Sequence, residues 1–276
     1  MKKKIIVLIC TGAVLMLSFW FFSHSGKPVN PLADVTRYKI YYGSPNEKII
    51  KKLAEFPLVI IEPVFYSGKQ ISEIQKDGTL VYGYINSMEA DRWNHDLFKK
   101  FTDQDFFKKD GKKVYIKEWD AYLMDMKSTG YRTKLLNEAD KQISDKQLDG
   151  VFMDTVGDID DYFADDPKEL NAQQEGLILL FQDLENRGLS IIQNWGMNTA
   201  AKTAPYIDGF MWESFQYTKI REDQWSLNWI KKMRGLSDEH GFKIFTVSSK
   251  EKAKSAKYSA DHGFVHFYTP KDYQEW

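Results

Sequence analysis

Short apolar segments alternate with amphipathic segments along most of the chain. The apolar segments are rich in β-branched and aromatic residues, and most are apolar at consecutive positions. Consecutive apolar positions are typical of parallel strands that are covered on both faces. The pattern predicts strands at Tyr38–Gly43, Leu58–Pro63, Leu80–Asn86, Ala121–Met126, Gly150–Thr155, Leu189–Trp195, Ile207–Glu213, Lys243–Ser248 and Gly263–Tyr268.

The segments between these strands carry apolar residues at helical spacing. Ser44-Pro45-Asn46-Glu47 predicts the start of a helix that runs through Glu55, with Ser44 as its N-cap. Pro167 begins a longer predicted helix, which ends at Asn186-Arg187-Gly188. The other predicted helices are Tyr131–Ile143, Trp225–Met233 and Lys250–Ala260.

The number of these units indicates the fold class. About eight strand–helix units in roughly 240 residues match the usual size of a (β/α)8 TIM barrel. A doubly wound open sheet is the main alternative, and it would normally carry a glycine-rich phosphate loop after the first strand. Here that strand ends in Tyr-Tyr-Gly-Ser-Pro, and the sequence contains no G-x-G-x-x-G or Walker motif. We therefore predict an α/β protein with a single-domain (β/α)8 barrel over residues 37–276.

The first residues differ from this pattern. Lys2, Lys3 and Lys4 precede an uncharged apolar run, Ile5–Phe22, which is typical of a signal peptide or a membrane anchor. No A-x-A cleavage site follows, so an uncleaved anchor is favoured over a cleaved signal. We predict that residues 1–26 contact the membrane and residues 27–36 form a spacer. The lysines should stay in the cytoplasm, which predicts an extracytoplasmic barrel, either secreted or membrane-anchored.

Composition excludes several classes of protein. The net charge is −1 and 43% of residues are hydrophobic, which argues against intrinsic disorder and against a basic protein that binds nucleic acid. The single cysteine, Cys10, excludes an internal disulfide framework and a thiolate metal cluster. We expect no metal, no cofactor and no nucleic-acid partner.

Motifs for other chemistries are absent from the sequence. It contains no G-x-S-x-G nucleophile elbow and no H-E-x-x-H zinc motif. His262 and His266 lie four residues apart, and we interpret them as structural. The acidic residues between Asp158 and Asp166 lack EF-hand spacing. We interpret that segment as a solvated loop, whose charge would attract a cationic substrate.

Polar residues at the ends of apolar strands are the candidates for chemistry, because TIM-barrel active sites form at the carboxyl ends of the strands. Asp154 and Glu213 have the strongest local case, since each ends an apolar strand. Glycoside hydrolysis typically needs two carboxyl groups on either side of the scissile bond. The strand-end candidates are Glu62, Asn86, Glu89, Asp125, Asp154, Asn194 and Glu213.

Several motifs together resemble a known family. The sequence is similar to glycoside hydrolase family 114, the endo-α-1,4-polygalactosaminidase type, over nearly all of residues 38–270. The resemblance implies a (β/α)8 glycosidase with Asp154 and Glu213 as its catalytic acids. Met88 stands where the family often has glycine. The matching stretches are Tyr41-Tyr42-Gly43, Tyr82-Gly83-Tyr84-Ile85-Asn86-Ser87-Met88-Glu89, Tyr122-Leu123-Met124-Asp125, Asp149-Gly150-Val151-Phe152-Met153-Asp154-Thr155 and Asp208-Gly209-Phe210-Met211-Trp212-Glu213-Ser214.

These observations predict an extracellular hydrolase of an α-1,4-linked galactosamine exopolysaccharide, such as a biofilm matrix. Asp154 would be the nucleophile and Glu213 the acid/base, with retention of configuration. A non-catalytic polysaccharide-binding surface protein and a hydrolase of another α-glycan remain the alternatives. The predicted substrate-binding residues are Tyr42, Glu62, Tyr84, Glu89, Asp125, Asn194, Trp195 and Trp212.

Overall fold

A computed structural model describes residues 29–276. The strands are β1 (Tyr38–Tyr41), β2 (Leu58–Ile61), β3 (Leu80–Asn86), β4 (Glu89–Asp91), β5 (Lys108–Lys109), β6 (Lys112–Lys113), β7 (Tyr115–Ile116), β8 (Ala121–Leu123), β9 (Gly150–Asp154), β10 (Ser190–Asn194), β11 (Gly209–Trp212), β12 (Lys243–Ser248) and β13 (Val265–Tyr268). The helices are α1 (Glu47–Leu53), α2 (Gly68–Gln75), α3 (His95–Phe98), α4 (Thr129–Ala139), α5 (Gly157–Phe163), α6 (Pro167–Glu185), α7 (Met197–Thr203), α8 (Tyr217–Glu222), α9 (Gln224–His240) and α10 (Lys252–Asp261). A π-helical turn, Asp140–Ser144, continues α4.

Within the described residues, eight parallel strands form one curved sheet in the order β1-β2-β3-β9-β10-β11-β12-β13. Tyr38 of β1 bridges the two edges of this sheet. Its ring centroid lies 5.6 Å from that of Phe267 in β13, and its hydroxyl donates to Thr246 O at 2.8 Å. The sheet is therefore a nearly closed barrel, and the predicted (β/α)8 fold is confirmed.

The alternation of side chains along each strand divides the core in two. Side chains that point into the barrel, such as Tyr82, Phe152 and Met211, form an inner core. Side chains that point outward, such as Trp212, form a second core beneath the helices. Gly150 leaves room for the inner core, since a Cβ there would lie 2.4 Å from the Tyr82 ring. The alternation thus determines which strand-end residues face the barrel axis.

The segment between β3 and β9 contains an insertion. It includes an antiparallel sheet in the order β4-β8-β7 and a short hairpin of β5 and β6. The prediction of a barrel strand at Ala121–Met126 was wrong, because β8 pairs antiparallel with β4. Leu123, Met124 and Met126 are buried within this insertion. Their burial produces the same apolar pattern as a barrel strand.

The N-terminal part of the described chain packs against the barrel. Leu32 and Val35 are buried in the inner core, and Lys243 at the start of β12 donates to Ala33 O at 2.9 Å. The predicted spacer over residues 27–36 therefore extended too far. The signal or anchor predicted over residues 1–26 lies outside the described residues. Between residues 29 and 276, no helix has both the length and the hydropathy needed to cross a membrane.

The N-cap predicted for the first helix was wrong by two residues. Asn46 rather than Ser44 is the N-cap of α1, and its Oδ1 accepts a hydrogen bond from Ile49 N at 3.0 Å. Asn and Ser cap helices about equally well, so the local sequence does not separate them. Pro167 does begin α6, directly after its N-cap Asp166.

Candidate active site

Three neighbouring barrel strands end in polar side chains that face the barrel axis. Asp154 ends β9, Asn194 ends β10 and Glu213 directly follows β11. Each lies two residues after a side chain of the inner core, namely Phe152, Ile192 or Met211. Because alternate residues of a strand share a face, each also points toward the barrel axis. Since β10 lies between β9 and β11, the three side chains meet at the carboxyl end of the barrel, which we call the mouth.

The backbone turns sharply after each of these three residues. The next residue in each case has a positive φ, which non-glycine residues rarely adopt. Such a conformation costs about 1–3 kcal/mol and clusters at functional sites, where the surrounding structure enforces it. The repeated turn marks this rim of the barrel as a candidate site. The residues are Thr155 (58°), Trp195 (54°) and Ser214 (58°).

Hydrogen bonds hold the Asp154 carboxylate in one orientation. Asn194 Nδ2 donates to Asp154 Oδ1 at 2.7 Å, and Thr155 N donates to the same oxygen at 2.8 Å. The Tyr84 hydroxyl also hydrogen-bonds to this carboxylate. A carboxylate fixed in this way is suited to attack an electrophilic carbon along one direction.

Glu213 lies in a different environment. Burial, and then the negative charge of Asp154, raise the pKa of Glu213 to about 7. The Tyr273 hydroxyl donates to Glu213 Oε1 at 2.7 Å, and this bond acts in the opposite direction by favouring the ionised form. A carboxyl group with a pKa near neutrality can donate a proton and later accept one.

Tyr273 is a residue that the sequence analysis missed. It follows the last barrel strand, where no periodic pattern marks it. Its carbonyl accepts a hydrogen bond from Tyr42 N at 2.7 Å, and the two rings lie 5.4 Å apart between centroids. The chain thus returns after β13 to the end of β1, and this return carries the Tyr273 hydroxyl to Glu213.

We expect Tyr273→Phe to move the alkaline limb of the pH–rate profile upward. The variant removes a hydrogen bond that favours ionised Glu213, so the pKa of Glu213 should rise further and the acid form should persist to higher pH. The measurement is kcat/KM from pH 5 to 9. Tyr115→Phe is the control, because the Tyr115 hydroxyl donates to Asp120 at the surface. An alkaline limb that stays in place, or moves down, would contradict this assignment.

Three of the predicted substrate-binding residues lie on the neighbouring strand ends. The rings of Tyr42 and Tyr84 are 5.1 Å apart between centroids and belong to the edge of the inner core. Glu62 follows β2 and is buried, and its Oε1 accepts a hydrogen bond from Val64 N at 3.4 Å. Burial raises the pKa of Glu62 to about 7. These side chains lie at the same end of the barrel as Asp154.

The two predicted tryptophans do not face the barrel axis. Trp212 is 1% exposed and belongs to the core beneath the helices, where it packs against Phe215 with ring centroids 5.2 Å apart. Trp212 directly precedes Glu213, so strand alternation turns the two side chains to opposite faces. Trp195 is partly exposed but packs against the same outer core. The prediction that Trp212 contacts substrate was therefore wrong.

Asp125 does not end a barrel strand. It follows β8 of the insertion, and its Oδ1 accepts hydrogen bonds from Gln173 Nε2 at 2.9 Å and Lys127 N at 3.1 Å. Gln173 belongs to α6 on the outside of the barrel. The expectation that Asp125 shares the rim with Asp154 was wrong, because it rested on the misassigned strand.

Glu89 of β4 is buried beside Asp158, and the two carboxyl groups hydrogen-bond to each other. Burial, followed by the negative charge of Glu89, raises the pKa of Asp158.

The acidic segment from Asp158 to Asp166, which was predicted to be a solvated loop, is instead largely helix α5. Within it, Asp160 Oδ2 accepts from Asn198 N at 2.7 Å at the start of α7.

The buried acids at the mouth predict a fall in stability with rising pH. The pKa values of Glu62, Glu89 and Glu213 rise from 4.5 to about 7, mainly through burial. Between these values the folded protein binds more protons than the unfolded chain, so the free energy of unfolding falls as pH rises. We expect Tm to be higher at pH 5 than at pH 8, and Glu213→Gln to weaken this dependence. A Tm that rises from pH 5 to pH 8 would contradict this expectation.

His262 and His266 each hydrogen-bond to other residues of the protein. His266 Nδ1 lies 2.9 Å from Thr246 Oγ1, and Nε2 lies 2.9 Å from Ser248 Oγ. Burial lowers the pKa of His266 to about 4. His262 Nδ1 lies 2.7 Å from Tyr258 O. In the part of the chain that the structure describes, no three His, Cys, Asp or Glu side chains are grouped as a metal site.

A (β/α)8 barrel with carboxyl groups from separate strands at its mouth is an architecture of glycoside hydrolases. Residues 24–256 match glycoside-hydrolase family GH114. The chain belongs to this family, and it is a glycosidase. Among curated proteins, no sequence matches this chain.

Solved structures agree on the fold. The glycoside hydrolase domain of PelA from Pseudomonas aeruginosa aligns with a TM-score of 0.66 and 15% identity, covering 88% of this chain and 97% of that one. Ega3 from Aspergillus fumigatus, in complex with galactosamine, aligns with a TM-score of 0.66 and 15% identity, covering 91% and 94%. At this level of identity, the similarity establishes the barrel fold alone.

Proposed function

We propose that this glycosidase hydrolyses a galactosamine-containing polysaccharide with retention of configuration. Asp154 is the nucleophile and Glu213 is the acid/base. The observation that carries the proposal is the contrast between the two carboxyl groups. Asn194 and the Thr155 N–H hold Asp154 at 2.7 and 2.8 Å, whereas burial raises the pKa of Glu213 to about 7. A retaining glycosidase needs one ionised and one protonated carboxyl group.

The proposed reaction has two steps. In the first step, Asp154 attacks the anomeric carbon while Glu213 donates its proton to the departing glycosidic oxygen, and a covalent glycosyl–enzyme forms. In the second step, ionised Glu213 takes a proton from water, and the oxygen of that water attacks the anomeric carbon and releases Asp154. Each step inverts the anomeric centre, so the product keeps the configuration of the substrate.

The acidic character of the mouth supports a cationic sugar as substrate. Glu89 and Asp91 lie near Asp154, and among residues 29–276 neither forms an ion pair with Lys or Arg. Deacetylated galactosamine carries an ammonium group that such a field attracts. The complex of Ega3 with galactosamine gives independent support for an amino sugar.

The sequence also supports an extracytoplasmic location. The lysines at positions 2–4, followed by the apolar run Ile5–Phe22, have the pattern of an export signal or a membrane anchor. We propose that the barrel acts outside the cytoplasm on an exopolysaccharide. Digestion of the full-length protein by external protease in intact cells tests this, and complete protection would contradict it.

The decisive experiment measures reducing ends released from a deacetylated α-1,4-galactosamine polymer. Proton NMR of the first products should detect the α-anomer before mutarotation, since the mechanism retains configuration. Initial β-anomer would overturn retention while leaving the substrate assignment intact. Activity only on a different glycan in a panel of neutral α-glycans would overturn the substrate assignment.

A further inference from the structure

The backbone turn that follows Asp154 lies beside a second turn, the one that connects β3 to the insertion. Asn86 ends β3 and lies opposite Asp154 in the parallel register of β3 and β9. Ser87 and Met88 then lead into β4, the first strand of the insertion. We call Asn86, Ser87 and Met88 the insertion turn. Its position makes it a direct neighbour of the residues that place the Asp154 carboxylate at the mouth.

Hydrogen bonds from the insertion turn reach both Asp154 and Thr155. Ser87 N donates to Asp154 O at 3.0 Å, and Ser87 Oγ donates to the same oxygen. Met88 N donates to Thr155 Oγ1 at 2.9 Å. Because Ser87 and Met88 are fully buried, water does not compete for these bonds. The two turns are therefore fixed relative to each other.

The Thr155 hydroxyl also donates back to the insertion turn. Thr155 Oγ1 donates to Asn86 Oδ1 at 2.5 Å. Asp154 O lies 2.8 Å from the same hydroxyl, but it already accepts two hydrogen bonds from Ser87. Asn86 is held in orientation, since its Nδ2 donates to Asp91 Oδ2 at 2.9 Å. The hydroxyl thus connects the turn after β9 to an acceptor that is itself fixed.

The backbone conformation of Thr155 shows what these bonds achieve. Its φ is 58°, a left-handed value that β-branched residues strongly disfavour and glycine adopts freely. In this conformation Thr155 N donates to Asp154 Oδ1 at 2.8 Å. Such strain persists only where the surrounding structure enforces it. The hydrogen bonds of the hydroxyl with Asn86 and Met88 oppose relaxation of the turn and so keep this N–H on the carboxylate.

We propose that Thr155 is a positioning residue, whose hydroxyl locks the turn after β9 and thereby aims the Asp154 carboxylate at the anomeric carbon. The insertion turn is the support, with Asn86 as the acceptor. This inference rests on the proposed function, in which Asp154 is the nucleophile. A nucleophile displaced by about 1 Å can lose about a hundredfold in rate. The hydroxyl should therefore control kcat rather than the binding of the sugar.

Thr155→Val tests this proposal, because valine keeps the β-branched shape but has no hydroxyl. We expect kcat on deacetylated α-1,4-galactosamine oligomers to fall about 10- to 100-fold, with KM changed less than about twofold. Thr155→Ser restores a hydroxyl and should recover most of kcat. Asn86→Ala removes the acceptor of the same bond and should lower kcat over the same range. Thr133→Val is the matched control, since the Thr133 hydroxyl donates to Thr129 O at the surface of α4.

A second measurement separates the aiming of Asp154 from general support of the mouth. The wild type and Asp154→Asn with azide are compared on one activated aryl galactosaminide. When azide is the nucleophile, no carboxylate has to be aimed. Adding Thr155→Val to Asp154→Asn should therefore change the azide-dependent rate less than about twofold. An equal loss in both backgrounds would show that Thr155 only supports the structure of the mouth.

The outcomes distinguish this inference from the proposed function. Near wild-type turnover in Asp154→Asn contradicts the proposed function itself. If Asp154→Asn is inactive but folded Thr155→Val keeps the wild-type kcat, only the inference about Thr155 is overturned. Thr155→Ser as slow as Thr155→Val also overturns it, because the hydroxyl is then not the group that acts. Circular dichroism and Tm establish folding, and if Thr155→Val does not fold, the kcat of folded Asn86→Ala decides.

Discussion

Asp154→Asn and Glu213→Gln are each expected to reduce kcat by about a thousandfold or more on a verified substrate. Each substitution keeps the shape of the side chain, so the fold should be preserved. Asparagine cannot form the glycosyl ester, and glutamine cannot protonate the leaving oxygen. Because the two groups act in one reaction sequence, their losses should not add, and the double variant should be about as inactive as either single variant.

Chemical rescue distinguishes the two roles. Azide should restore turnover of an activated substrate in both variants but give glycosyl azides of opposite anomeric configuration, because the anion replaces the nucleophile in one case and attacks the glycosyl–enzyme in the other. Asp125→Asn is the control, since that aspartate lies outside the barrel rim beside Gln173. Near wild-type turnover in either Asp154→Asn or Glu213→Gln would refute the pair.

Trp212→Ala should lower the free energy of unfolding by about 3–5 kcal/mol, the range for removing a large aromatic side chain from a core. Trp212 is 1% exposed and its ring centroid lies 5.2 Å from that of Phe215 and 6.1 Å from that of Trp225. The deletion leaves a cavity beneath the helices rather than at the mouth. Urea denaturation, analysed at equilibrium, measures the change.

The KM of the same variant tests whether the Trp212 indole contacts the substrate. Below its Tm, folded Trp212→Ala should retain the wild-type KM, because the indole does not face the barrel axis. Leu179→Ala is a suitable control for the loss of an apolar side chain, since Leu179 is 49% exposed and should change stability little. A large rise in KM with unchanged stability would restore Trp212 as a substrate-stacking residue.

Strand periodicity explains which site residues the sequence identified. Asp154 and Glu213 stand out because a charged residue that ends a buried strand faces either the axis or the helices, and every second residue shares a face. The same rule excludes Trp212 once Glu213 is assigned to the axis. The sequence therefore contained the signal against Trp212, although aromatic composition suggested a sugar platform.

The other wrong or missing predictions could not have been corrected from the local sequence alone. The apolar run Ala121–Met126 reports burial, but burial in the insertion and burial in the barrel give the same pattern. Asp125 was placed at the barrel rim because it follows the segment that was wrongly assigned as a barrel strand. Tyr273 lies beyond the last strand, and only the return of the chain to Tyr42 brings its hydroxyl to Glu213.

The sequence by itself determined the barrel, the family and the two candidate catalytic acids, because hydrophobic periodicity and short motifs are local properties of the chain. The tertiary structure alone decided the proton affinity of Glu213 and the hydrogen bond that it accepts from Tyr273. Each depends on residues far apart in sequence: Asp154 and Glu213 follow separate strands, and Tyr273 lies 60 residues beyond Glu213. The physical reason is that desolvation and charge–charge interactions follow distances in space, and those distances exist only once the barrel has formed.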